Sequence, residues 1–306
     1  MTEIIRVVEE GFRRKGQGQT QMPPKTPIYP RPHKTFLHAM PAYVEGLDAA
    51  ALKWVGGADD NYLQGLPTIT GLLILNDPET MLPLAVMDCT WITAMRTGAA
   101  NAVAAKYLGP PQPRELALLG CGVQGRSNLL ALHTTFPGLQ QVRAYDLRPA
   151  AAEAFMAEMA PLTGLEIILT ETPQQAITGA DIVVTATFMP PDAERFIAWD
   201  WLKPGCLAAP VDYDVCFQPE VFQRAERFVT DDVAQMEYYR TNRGYFRDLP
   251  EAEELGAVVA GLRPSRQEPD QTTVAMCMGI GIDDAVTGQL VYQTALSRNI
   301  GTRLPL

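Results

Sequence analysis

From Glu115 onward the chain alternates short apolar strands with helical stretches, and this alternation restricts the fold more than any other feature. "LALLG" is followed by "VQGRSNLLALHTTF", "QVRAYDL" by "PAAAEAFMAEMAPL", and "LEIILT" by the short helix "TPQQAITGA". "DIVVTAT", "CLAAPV" and "RFVTDD" read as further strands. Such alternation builds a parallel sheet with helical crossovers. The first crossover carries Gly120, Gly122 and Gly125 in the spacing G-x-G-x-x-G, with a strand before Gly120 and a helix after Gly125. That setting gives the pattern a physical meaning. The first glycine permits a tight turn, the second lets backbone approach a pyrophosphate, and the third brings helix and strand close. The helix then turns free N–H groups and its positive dipole end toward phosphates. Asp146 closes the second strand in "RAYDLRP", roughly 20 residues on, where an acid holds ribose hydroxyls. A carboxylate there repels a 2′-phosphate and favours NAD over NADP, a preference that Arg148 softens. The competing reading is a glycine-rich turn that binds nothing. Hydride transfer is the chemistry such a cofactor carries, so the substrate must be read elsewhere.

The chain before Glu115 has a different texture. "MTEIIRVVEEGFRRKG" reads as an amphipathic helix with Ile4, Ile5, Val8 and Phe12 on one side, and it lacks the apolar core of a signal peptide. "MPPKTPIYPRPHK" is proline-rich and therefore extended. "TFLHAMPAYV" and "AALKWVGG" are strand-like, and "PTITGLLILNDPETMLPLAVMD" is a hairpin turning at Asn76 to Glu79. "TWITAMRTGAANAVAAKYL", Thr90 to Leu108, is an Ala-rich helix with Gly98 as the point where it can break early. "GPPQPR" then acts as a linker. The tail "TTVAMCMGIGIDDAVTGQLVYQTALSRNIG" reads mostly as one long helix lying outside the nucleotide unit and returning to the first domain.

At 306 residues the chain is long enough for about two domains. Its net charge of -10 disfavours nucleic acid or an anionic membrane as a partner, because no basic excess exists to neutralise phosphates. No apolar run is long enough to span a bilayer. The five cysteines (Cys89, Cys121, Cys206, Cys216 and Cys277) include no C-x-x-C pair, and with only three histidines a zinc site is not expected. Buried free thiols in a reducing cytoplasm are the expectation.

Against that acidic background a few cations stand out. Lys25 sits in "MPPKT", Lys53 among apolar neighbours in "ALKWVGG", and Arg96 in "MRTGAA". A lysine within an apolar strand is unusual, since Lys is rarely buried unpaired. Each has the alternative of a solvated or snorkelling cation. Together they suit a substrate carboxylate, and a helix start carrying Arg96-Thr97-Gly98 would serve either that group or the cofactor pyrophosphate. "APVDYDVCFQPEVF" holds Asp212, Asp214 and Glu220 after the fifth strand, at the end of the sheet where ligands bind. A carboxylate there can move a proton while hydride moves. They can equally be ordinary loop acids. Thr185 and Thr187, closing the fourth strand, are candidates for the nicotinamide ribose or simple strand residues.

The blocks "MPPKT", "AMPAYV", "LKWVGG", "GLPTITGLLILNDPETMLPLAVMD", "TWITAMRTGAANAVAAKYL", "LLGCGVQG", "GADIVVTAT", "KPG" and "GIGIDDAVTGQLVYQTAL" occur in order over nearly the whole length. In these the chain resembles the ornithine cyclodeaminase/mu-crystallin family; "ITAMRTGAA" followed by G-x-G-x-Q-G, with Gln124 at the Q, is the specific part. The resemblance implies an α/β fold: a Rossmann-type NAD-binding domain over 110–281 and a smaller α+β substrate-binding and dimerisation domain over 1–109, completed by 282–306. It implies a homodimer. It places the substrate carboxylate on Lys25, Lys53 and Arg96, and the catalytic aspartate on Asp214, since Glu220 follows at the family's spacing. Asp212 competes, because "PVDYD" departs from the family's glycine-containing run. Lys53 shares the catalytic role. The cofactor set is Thr97, Gly120, Gly122, Val123, Gln124, Gly125, Asp146, Leu147, Arg148, Thr185, Ala186 and Thr187. His38 departs from ornithine cyclodeaminase itself, which has a glutamate two places before the "MP" block. The chain also begins directly on a helix, where relatives first have a short strand.

Three functions follow. In the first, an NAD-dependent dehydrogenase or reductase works at the α-carbon of a small amino or imino acid. The second is a cyclodeaminase, in which the same first oxidation leads to loss of ammonia and ring closure of L-ornithine to proline. The third is a nucleotide-binding protein without catalysis, as in the crystallin branch. An acid suits a diamine and a histidine does not, so His38 favours the first; the presence of Lys53 and Asp214 disfavours the third.

Overall fold

The computed structural model describes residues 1–31, 34–188 and 194–304. Helix α1 (Thr2–Gly16) buries Ile4, Ile5, Val8 and Phe12, the stripe read from the sequence. It leads into β1 (Thr20–Gln21), β2 (Thr26–Arg31), β3 (Thr35–Val44), β4 (Ala49–Ala58), β5 (Ile69–Asn76) and β6 (Pro83–Asp88). These pair antiparallel in the order β1-β3-β4-β5-β6, with β2 on the same edge of β3 as β1. Period-two alternation sorts the faces. Lys53 and Val55 of β4 are buried, whereas Trp54 between them is exposed.

Helix α2 (Thr90–Leu108) follows and is buried along most of its length. The second sheet comes from β7 (Glu115–Leu119), α3 (Val123–Thr135), β8 (Gln141–Tyr145), α4 (Pro149–Thr163), β9 (Glu166–Leu169), α5 (Pro173–Ile177), β10 (Ile182–Thr185), β11 (Leu207–Pro210), α6 (Pro219–Arg224), β12 (Arg227–Thr230), α7 (Val233–Arg243), β13 (Glu253–Glu254), α8 (Leu255–Val259) and β14 (Thr273–Met276). All its pairs are parallel, in the order β13-β12-β14-β11-β10-β7-β8-β9. Chain direction across the sheet reverses between β7 and β10, and the crevice at the carboxyl ends of those strands is where such sheets bind ligands. Helix α9 (Gly281–Ser297) then crosses back to the first sheet. There Gly281 sits against the Pro41 carbonyl of β3 and Gly288 against Leu73 of β5. Among the described residues no helix is long and apolar enough to cross a membrane.

Two sequence expectations are corrected. The tail is not helical from its start: Thr273–Met276 is a strand, inserted between β11 and β12 in the parallel sheet. Four buried residues in a row suit a strand covered on both faces, but so short an apolar run has no period of its own. Helix α2 also does not break at Gly98. A Cβ there would overlap the Ser127 carbonyl of α3, so this glycine allows two helices to approach closely rather than ending one.

Candidate active site

The glycine turn joins β7 to α3, and each glycine has a separate reason. Gly120 has φ +96°, and a Cβ on it would overlap the Ala186 carbonyl beyond β10. Gly125 lies so close to the Gly120 carbonyl that a side chain has no room. Among the described residues, nothing occupies the space where a Gly122 Cβ would stand, and no side chain caps the helix that starts there. The turn is thus packed at Gly120 and Gly125 and open at Gly122, where the first N–H groups of α3 have no partner within the helix. Asp146 ends β8 beside it, accepting hydrogen bonds from Cys121 N at 2.8 Å and Arg148 N at 2.9 Å. Val123, at the start of α3, and Leu147, next to Asp146 in the chain, are both exposed. Gln124 is tied to Ser127 Oγ at 3.3 Å. The Arg148 guanidinium stacks over the Tyr62 ring of the first domain, 5.3 Å from its centre. These residues fit a dinucleotide: a backbone cradle left open at Gly122, a carboxylate at the end of the second strand of the unit, and exposed apolar neighbours. Arg126 completes the turn by donating to the carbonyls of Cys121 and Gly122 while bonded to Glu158 at 2.7 Å. Sequence reasoning passed over it, although it lies one turn after Gly122 on a helix face that must meet the loop.

The two aspartates after β11 separate cleanly. Asp212 is buried and accepts from Thr185 Oγ1 at 2.5 Å, Thr187 Oγ1 at 2.7 Å, Thr187 N at 2.9 Å and Cys216 Sγ at 3.4 Å. Burial pushes its carboxyl up, and those bonds oppose the shift. Its role is to tie the ends of β10 and β11 together, and both threonine hydroxyls are committed to it. Asp214 instead pairs with Arg195, which also reaches Asp248 at 2.6 Å. Burial raises its carboxyl too, and Arg195 opposes that. Glu220 is exposed on α6, paired with Arg224 at 2.7 Å.

The three cations are buried rather than solvated: Lys53 is 1% exposed, Lys25 5% and Arg96 6%. Lys53 Nζ and Arg96 Nε meet on one oxygen, Asp284 Oδ1, at 2.7 and 3.1 Å. Burial, then repulsion from Arg96, lowers Lys53 to about 8 against the pull of Asp284. Lys25 Nζ donates to the Met278 carbonyl at 2.8 Å and to Tyr213 Oη at 3.1 Å, and burial lowers it also. Met278 adjoins Gly279, whose backbone lies against the Arg96 guanidinium. His38 on β3 faces the same group; burial, then Lys25 and Lys53, lowers its imidazole to about 3, and its Nε2 has no hydrogen-bond partner among the described residues. It is neutral at physiological pH. Behind them lie Asp231 and Asp283, both fully buried, and burial holds the Asp283 carboxyl well above its usual range.

The structure therefore brings Lys25, His38, Lys53 and Arg96 to one place, with Asp214 reached through its neighbour Tyr213. Two details differ from expectation. Arg96-Thr97-Gly98 is not a helix start, because α2 begins at Thr90, and the Thr97 hydroxyl donates to the Thr93 carbonyl at 2.7 Å. Sequence reasoning also missed Asp284, Asp283, Asp231, Tyr213 and Arg195. The pair "DD" in "GIGIDDAVTG", acids opening an otherwise apolar helix, was the available signal for Asp283 and Asp284.

Comparison with known proteins adds to this geometry. The model of the ornithine cyclodeaminase/mu-crystallin family matches residues 1–299. An alanine dehydrogenase of Archaeoglobus fulgidus is 34% identical over 312 residues, covering 99% of this chain and 94% of that protein. A Δ1-pyrroline-2-carboxylate reductase of Thermococcus litoralis, solved with NADH and L-proline, has a TM-score of 0.88 at 31% identity, over 99% of this chain and 96% of its own. An archaeal alanine dehydrogenase dimer with bound NAD has a TM-score of 0.88 at 32% identity, over 100% and 95%. With its antiparallel sheet, its parallel nucleotide sheet and a match along almost its whole length, the chain belongs to the ornithine cyclodeaminase/mu-crystallin family.

Proposed function

We propose that this protein is an NAD(H)-dependent oxidoreductase acting at the α-carbon of a small amino or imino acid. The observation that carries the reading is a cluster of buried cations, Lys25, Lys53 and Arg96, set beside a neutral His38. Such a cluster receives a carboxylate, and a neutral imidazole offers no charge to a distal amine. The turn at Gly120, Gly122, Val123, Gln124 and Gly125 holds the cofactor pyrophosphate; Asp146, Leu147 and Arg148 meet the adenosine half. Thr97, Thr185, Ala186 and Thr187 line the nicotinamide half, the hydroxyls of Thr97, Thr185 and Thr187 serving through the backbone they fix. When bound, NAD supplies the hydride acceptor or donor. Lys25, Lys53 and Arg96 grip and orient the substrate carboxylate. Lys53, titrating near 8, exchanges a proton close to neutral pH. Asp214 handles the proton on the substrate nitrogen or on an attacking water.

The domain division proposed is 1–109 with 282–306, and 110–281. The outer face of the antiparallel sheet exposes Trp54, Leu72 and Val86, with Trp54 and Leu72 directly opposite each other in register; this apolar surface is the proposed homodimer interface. The five free buried cysteines agree with a reducing cytoplasmic location.

Incubating the protein with NAD and either L-alanine or L-ornithine, and measuring NADH, ammonia and proline, tests the reading. Net NADH from a mono-amino acid is expected. Proline and ammonia from L-ornithine without net NADH would overturn it in favour of the cyclodeaminase.

A further inference from the structure

Position 213 lies in the left-handed region with φ +62°, yet it is a tyrosine. A bulky residue there is a genuine outlier and marks a conformation imposed by its surroundings. The imposition is visible on both sides. Asp212 is pinned to the end of β10 by Thr185 and Thr187, and Asp214 is pinned by Arg195. Glycine would relieve the backbone at this point. The tyrosine instead sends its ring among Tyr239, Tyr245 and Phe246, with centroids 6.3, 6.3 and 5.6 Å away and all at steep angles. Those contacts aim its hydroxyl at Lys25 Nζ, 3.1 Å away. Packing alone would be met by phenylalanine; the hydroxyl needs a separate reason.

Lys25 supplies that reason. Lysine is a point charge and, unlike arginine, offers no planar fork to a carboxylate. One Lys25 N–H goes to the Met278 carbonyl and another to Tyr213 Oη, which leaves one without a partner among the described residues. Tyr213 Oη accepts from the ammonium, so its own proton remains available to donate. Burial pushes the phenol up, and it stays protonated through the working range.

We propose that Tyr213 is a substrate-contacting residue whose hydroxyl, together with Lys25, forms a two-point clamp on the substrate carboxylate. This rests on the carboxylate-bearing substrate proposed above. The pair reproduces with two side chains the two parallel donors that one arginine provides. Each donor takes one carboxylate oxygen, and the clamp selects planar carboxylates over amides of the same shape.

Calorimetric titration of the NADH-saturated protein tests the clamp, with pyrrole-2-carboxylate as an unreactive planar acid and pyrrole-2-carboxamide as its uncharged control. Tyr213→Phe keeps the ring and its packing. It is expected to weaken the acid about tenfold, which is about 1.4 kcal/mol, with NADH and carboxamide affinity unchanged. Lys25→Met is expected to weaken the acid as well, and the double variant to lose less than the product of the single losses, because both donors serve one group. Equal acid affinity in wild type and Tyr213→Phe overturns the proposal, as does failure of the wild type to bind the acid. Tyr213-dependent binding without any NADH turnover on amino or imino acids would leave the clamp standing and overturn the proposed function alone.

Discussion

Replacing Asp284 by Asn keeps the side chain's shape and removes the charge that Lys53 and Arg96 share. The contacts are 2.7 and 3.1 Å, and the Asp284 and Lys53 side chains are each 1% exposed, so water cannot substitute for the lost carboxylate. Breaking a buried pair of this kind costs about 3–5 kcal/mol. The lower end is expected, because Asp284 is one of the charges that, after burial, push the neighbouring Asp283 carboxyl up, and its removal relaxes that carboxyl toward the charged form the cations favour. With an unfolding entropy of about 2.1 cal/mol/K per residue, 306 residues give roughly 0.6 kcal/mol/K, and 3 kcal/mol lowers Tm by about 5 °C. The loss is pH-dependent, with a definite sign. Folded Lys53 titrates at about 8, below its unfolded value of about 10.5. Between those values the unfolded chain holds a proton that the folded chain lacks, so stability from this residue rises as pH climbs through that window and the full penalty applies below it. Without Asp284 the folded value falls further, and relief begins at lower pH. The Tm deficit of Asp284→Asn should therefore narrow between pH 7 and 9, in thermal melts over that range. A deficit below 1 °C, or one that does not change with pH, would refute Asp284 as the shared counter-charge.

Other substitutions separate roles within the turn and the loops. Gly122→Ala should leave Tm nearly unchanged and weaken NADH binding in a fluorescence titration, because a Cβ there meets only the space a phosphate would fill; Gly120→Ala should lower Tm, because it overlaps the Ala186 carbonyl and its φ is +96°. Asp214→Asn should abolish turnover with NADH affinity intact, whereas Asp212→Asn should show mainly as a lower Tm, since Asp212 gathers the ends of β10 and β11. Gly98→Ala should destabilise by roughly 1–3 kcal/mol, even though alanine favours a helix interior by about 1 kcal/mol, because its methyl group drives α2 away from Ser127 of α3. Denaturant unfolding with an unchanged slope checks this last result.

Much of the candidate site could be read from residue types and spacing, and the remainder failed for identifiable reasons. Gly120, Gly122, Gly125 and Asp146 are legible because each answers a local backbone requirement within one strand–turn–helix–strand unit. Lys53 is legible because a lysine in a strand of apolar neighbours has to be paired. Its partner is not, since Asp284 lies 231 residues away and reaches it only when α9 folds back across β4. Asp212 and Asp214 looked equivalent, because two acids in one loop differ only in what the fold brings against them. Thr97 and Gly98 carried the right pattern with the wrong local reading: a helix start and a break were expected where the structure has the interior of a continuous helix.

By itself, then, the sequence determined the two kinds of sheet, the dinucleotide turn and the presence of an anion-seeking set of cations. Those follow from periodicity, glycine conformation and the penalty on unpaired buried charge, all of which act over short stretches of chain. Only the tertiary structure decided which carboxylate holds the cations, which aspartate braces the strands, and that Thr273–Met276 enters the middle of the parallel sheet. Those outcomes depend on contacts between segments far apart in the chain, and strand order in a sheet leaves no period in the strands themselves.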